Sequence, residues 1–172
     1  MMKPAICFVS ALALLLFFFG GAWGADISVL GGNVNMTISS ATAGQQPDPV
    51  TNEACQLQWS TLVADPTQKI TVQTNLASPS FTLAAQALNV SAGDGTAAGE
   101  VILSTTAQDF VVSIPPNVPA GDPGTCTLRY TASATAAAGT GTDTHTITYT
   151  IVNQGSRVRG EDKLGDHDRR IK

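Results

Sequence analysis

Cys55-Gln56-Leu57-Gln58-Trp59 and Cys126-Thr127-Leu128-Arg129-Tyr130 share one pattern: cysteine, leucine and a large aromatic at every second position, with polar residues between. Residues two apart in a β-strand point the same way, so each segment aims a sulfur, an aliphatic group and a ring at one face. If the two strands face each other, the simplest arrangement is a disulfide between Cys55 and Cys126, buried beside Trp59 and Tyr130 at the centre of an all-β core.

The flanking segments continue the theme. Asp26 to Ser39 alternates in two phases, Ile27 and Val29 and then Val34, Met36 and Ile38, and Gly31-Gly32 stands where the register must reset. This predicts a first strand broken by a bulge, or one that crosses between sheets. Residues 40 to 53, with Gly44, Pro47 and Pro49, read as a loop. The Cys55 strand ends near Asp65-Pro66, and Ile70, Val72, Thr74 and Leu76 mark the next, the two forming a hairpin. Phe81 to Val90, Val101 to Ser104 and Phe110 to Ile114 are further strands, Ser91 to Gly99 is a loop, and Pro115 to Gly124 is too rich in proline and glycine for a ladder. Cys126 to about Ala134 returns to strand. The last, Thr142 to Val152, sets Ile147, Tyr149 and Ile151 on one face and Thr144, Thr146, Thr148 and Thr150 on the other.

About eight strands with frequent turn signals and no helical period predict an all-β fold, an antiparallel β-sandwich of immunoglobulin-like type, with a jelly roll as the alternative. Over roughly residues 26 to 153 the pattern resembles secreted bacterial immunoglobulin-like modules. It departs from a true immunoglobulin domain in placing Trp59 on the same strand as Cys55 rather than on the next.

Residues 1–24 read as a signal peptide: Lys3 precedes the apolar run Ile6 to Phe19, and Ala22-Trp23-Gly24 supplies small residues for cleavage. The run is shorter than the roughly 20 residues of a membrane span, so no membrane insertion is expected once the signal is removed. Cleavage discards Cys7 and leaves two cysteines in an exported chain, where disulfides persist. Residues 25–154 form a single β-sandwich domain, and residues 155–172 a charged tail expected to be disordered in isolation.

From Ala25 to Gln154 there are nine acids and two bases, Lys69 and Arg129. A domain so poor in lysine and arginine carries no electrostatic footprint for nucleic acid. His145 is the domain's one histidine; a serine hydrolase would have to use it, and no G-x-S-x-G elbow accompanies it. Neither zinc nor a redox pair is indicated, for lack of a second placed histidine and of C-x-x-C spacing. Asp94, Glu100, Asp109, Asp122 and Asp143 lie in or beside turns, as calcium ligands do in extracellular sandwiches, but no D-x-D-x-D spacing supports a site and turn formation explains them. The five aromatics beyond the signal, Trp59, Phe81, Phe110, Tyr130 and Tyr149, all fall at apolar parity and suit the core better than a sugar-stacking platform. The T-x-T array at residues 144 to 150 is ordinary for an outward strand face.

No catalytic, cofactor-binding or metal site is therefore expected, and the chain reads as non-enzymatic. The expected role is a secreted structural or adhesive component of an extracellular matrix, envelope or surface filament, located outside the cell, in the periplasm or at the cell surface. The alternative is a soluble extracellular binding module for a glycan or protein ligand. Self-association through the first strand is the expected partner interaction, because an edge segment beside a diglycine can pair with its own sheet or a neighbour's.

Overall fold

The computed structural model describes residues 24–40, 42–138 and 141–155. The expected signal peptide and charged tail thus lie almost wholly outside the described residues. The strands are β1 (Asp26–Leu30), β2 (Val50–Ser60), β3 (Gln68–Thr74), β4 (Thr82–Leu88), β5 (Thr96–Ala97), β6 (Glu100–Ile102), β7 (Gln108–Ile114), β8 (Gly124–Ser133) and β9 (Ile147–Asn153), with one 3-10 turn at Ala136–Ala138. A five-stranded sheet in the order β1-β2-β8-β4-β6 packs against a four-stranded sheet in the order β5-β7-β3-β9, and every pairing is antiparallel. This is a β-sandwich.

The two cysteine strands are neighbours within one sheet rather than partners across the sandwich. Their register sets Cys55 opposite Leu128, Leu57 opposite Cys126 and Trp59 opposite Gly124. All six patterned side chains do point inward, and each is buried. The expected disulfide is not formed: Cys55 and Cys126 are both free thiols. The register explains why. The sulfurs occupy diagonal positions, whose Cα atoms lie about 7–8 Å apart in an antiparallel pair, beyond the usual span of a disulfide.

Facing them, β3 and β7 contribute Ile70, Val72, Phe110, Val111 and Ile114, all essentially inaccessible. In β4 the core face is carried by Ala85 and Ala87 beside Tyr130 and Leu128, small residues against large ones, while Leu83 and Leu88 are only half-buried. Gly124 serves the same end, since a Cβ there would run into the Trp59 indole.

The expected β2–β3 hairpin is also corrected, because residues 61–67 carry the chain from one sheet to the other. Thr61 fixes that crossing. Its hydroxyl donates to the Pro115 carbonyl at 2.8 Å and accepts from the Val118 N–H at 2.9 Å, and its own N–H reaches the Val118 carbonyl at 2.9 Å. Three edges differ from expectation. Strand β2 begins at Val50, with a register shift between Asn52 and Cys55; β5 lies within the expected 91–99 loop; and β9 begins only at Ile147.

A cleft between the sheets as the candidate functional site

At one end of the sandwich the two sheets do not close on each other. Strand β1 stops at Leu30, as the diglycine foretells. Gly31 has φ 111° and passes so close to β2 that a Cβ would meet the Ala54 carbonyl at 2.6 Å and the Cys55 Cα at 2.9 Å. Only glycine fits that turn. Residues 33–40 then lie outside either ladder and alternate in burial, with Val34, Met36 and Ile38 half-buried and Asn33, Asn35, Thr37 and Ser39 exposed. Across from them residues 142–146 are likewise outside the ladder, alternating in burial in the same way up to the start of β9.

Between these two segments lies a cleft of about 1210 Å³. Its other walls are the ends of β1, β2, β4 and β8, through Val29, Cys55, Leu83, Tyr130 and Ala132. At its inner end the Tyr130 and Tyr149 hydroxyls meet at 3.0 Å, and Tyr149 packs on Phe110 with ring centroids 5.2 Å apart. Burial raises both tyrosine pKa values above the ordinary 10.0, and for Tyr149 the neighbouring Tyr130 adds to the shift. The hydroxyls stay protonated and the cleft lining stays nearly neutral. Asp143 is its one carboxylate among the lining residues.

The residues singled out in the sequence take structural positions. His145 stands with Nδ1 3.1 Å from the hydroxyl of buried Thr74, and the Asp143 carboxylate accepts the Phe81 N–H at 2.9 Å, so both pin the 142–146 segment to the β3–β4 connection. The Asp94 carboxylate accepts from Ser91 at 2.6 Å while its carbonyl accepts from Trp59 Nε1 at 3.1 Å; Asp109 pairs with Lys69 at 2.6 Å. Asp94, Glu100, Asp109, Asp122 and Asp143 do not converge, and no three potential metal ligands come together among the described residues. Trp59, Phe110 and Tyr130 are buried and Tyr149 half-buried, in keeping with their parity. Phe81 differs: it lies at a bend before β4, half-buried on the cleft wall. Thr144, Thr146, Thr148 and Thr150 are exposed, the first two at the cleft.

Sequence reasoning did not reach the tyrosine pair or the cleft. The inward parity of Tyr130 and Tyr149 was visible, but their meeting depends on which strands face each other. The cysteine thiols are shielded too. Burial pushes Cys126 up to about 12 from an ordinary 9.0, the Leu57 backbone hydrogen bond opposing in part, and the Cys55 Sγ lies 3.5 Å from the Gly32 carbonyl. No family model, curated protein or solved structure matches this chain.

Proposed function

We propose that the chain is an exported structural or adhesive β-sandwich, a component of an extracellular matrix, envelope or surface filament, whose copies join through their sheet edges. The observation that supports this most is the state of those edges. Among the described residues two of the four edges are short, β5 with two residues and β6 with three, which is how a sandwich blunts an edge. The other two are not blunted. Strand β9 offers seven residues, Ile-Thr-Tyr-Thr-Ile-Val-Asn, without a charge, a proline or a register shift. Strand β1 carries Val29 and Leu30, about half exposed at 47% and 46%.

Such edges are liabilities in a monomer and assets in an assembly. The leader-like residues 1–24 and the scarcity of basic side chains fit a destination outside the cytoplasm. A second reading, a binding module for a glycan or protein ligand, draws on the cleft, whose volume exceeds the roughly 300–1,000 Å³ usual for small-molecule sites. Negative-stain microscopy of the exported protein separates the two. Filaments or ordered clusters are expected; isolated particles that bind on a glycan array would replace the first reading with the second.

A further inference from the structure

The open edge and the cleft meet at the start of β9, where Ile147 and Tyr149 line the cleft, and the chemistry there specifies an occupant. Strand β9 is the last strand of its sheet: one side is bonded to β3 over seven consecutive residue pairs, and its other side has no strand beside it among the described residues. Its half-buried face is Ile147, Tyr149 and Ile151, and its exposed face is Thr148 and Thr150. The 33–39 segment has the same length and the complementary phase, Val34, Met36 and Ile38 inward with Asn35 and Thr37 outward, and it too is uncharged. Placed beside β9, it would add three aliphatic groups to the core side and amide and hydroxyl groups to the outer side, and each backbone would satisfy the other's unpaired groups.

The chain's own copy of this segment already packs Val34 and Met36 against the core without entering the ladder, so a second copy's segment would take its place. The far end of the chain's own segment is held to the 40s loop, where the Ser40 carbonyl accepts the Asp48 N–H and the Ser40 hydroxyl donates to the Asp48 carboxylate, both at 3.0 Å. We infer that the cleft beside β9 is a strand-acceptor site, filled by residues 33–39 from the N-terminal arm of a second copy. The sheet β5-β7-β3-β9 thereby gains a fifth strand across the subunit boundary. An arm passed on from copy to copy without reciprocal exchange is a heterologous contact, which generates open chains or closed rings. This rests on the self-association reading and adds to it the surface and the segment through which copies join.

The test uses the exported chain in two populations, each with one added cysteine, the first carrying Asn35→Cys or Thr37→Cys and the other Thr148→Cys or Thr150→Cys. All four positions are exposed, and the native cysteines are buried. The populations are mixed, assembled and oxidised, and covalent heterodimers are mapped by mass spectrometry. The expected result is a strong heterodimer in one of the four combinations, set by the strand register, with Met36→Asp in the donor reducing it at least about tenfold. Three outcomes overturn the inference. If assemblies form but no combination gives a heterodimer, the copies join elsewhere and the acceptor site falls while the self-association reading stands. If a chain carrying both cysteines closes only on itself, the segment is an intramolecular strap. If light scattering finds monomer throughout, the self-association reading falls as well.

Discussion

The Tyr130 and Tyr149 hydroxyls lie 3.0 Å apart and tie β8 of one sheet to β9 of the other at the inner end of the cleft. A hydroxyl pair so placed satisfies two polar groups that burial would otherwise leave costly, and it fixes β9 against the core while its outer edge has no strand beside it among the described residues.

The tyrosine pair and Cys126 give the fold an alkaline limit. All three hold their protons more tightly in the folded chain than the ordinary values of 10.0 and 9.0. A pKa raised on folding contributes stability that is complete below the unfolded value and is lost as pH rises toward the folded one. Urea midpoints should therefore show no loss from these groups below about pH 9 and a progressive fall above it. Tyr149→Phe should flatten that fall while costing about 1 kcal/mol at neutral pH through the lost hydrogen bond. A midpoint level through pH 11 would contradict this.

Thiol chemistry gives the second prediction. With Cys55 3% and Cys126 1% exposed and no bond between them, both should resist alkylation in the native protein and react fully once it is unfolded without reductant. Peptide mapping of the alkylated chain should recover both cysteines labelled. Recovery of a linked Cys55–Cys126 peptide would show that the β2–β8 register differs from the one described.

Gly124 provides a packing test. Its missing side chain is filled by the Trp59 indole, which is 1% exposed. Gly124→Ala should destabilise by about 1–3 kcal/mol, the range for overpacking a filled core. The tryptophan emission should shift to the red as the ring is displaced; an unchanged spectrum and midpoint would mean the indole is not held there.

Gln68 predicts a gain. It is 6% exposed, its Oε1 has no hydrogen-bond partner, and its amide makes a long 3.4 Å contact with Asn153. Gln68→Met removes the unsatisfied oxygen at nearly equal volume, and because Asn153 is exposed to solvent the change should stabilise by about 1 kcal/mol. Thermal melting checks the sign.

Local alternation carried the parts of the fold that depend on one strand at a time. Cys55, Leu57, Trp59, Cys126, Leu128 and Tyr130 point inward as their spacing requires, and the break at Gly31-Gly32 falls where the phase changes. What escaped the sequence depends on residues far apart in the chain. The Thr61 bonds to Pro115 and Val118 turn an expected hairpin into a crossover, and whether Cys55 faces Cys126 or Leu128 is a matter of register. Residues 142–146 alternate as well as any strand, yet Asp143 and His145 tie them to Phe81 and Thr74 instead of to a ladder. The cleft follows from that long-range arrangement, so no motif announces it.

Hydrogen exchange at β9 tests the central claim most directly. In dilute protein the outward-facing amides of residues 147–153 should exchange faster than those of β3 and β8, and on concentration they should slow by about tenfold or more together with residues 33–39. Protection of β9 equal to that of β3 in the dilute monomer, unchanged by concentration, would contradict an open acceptor edge.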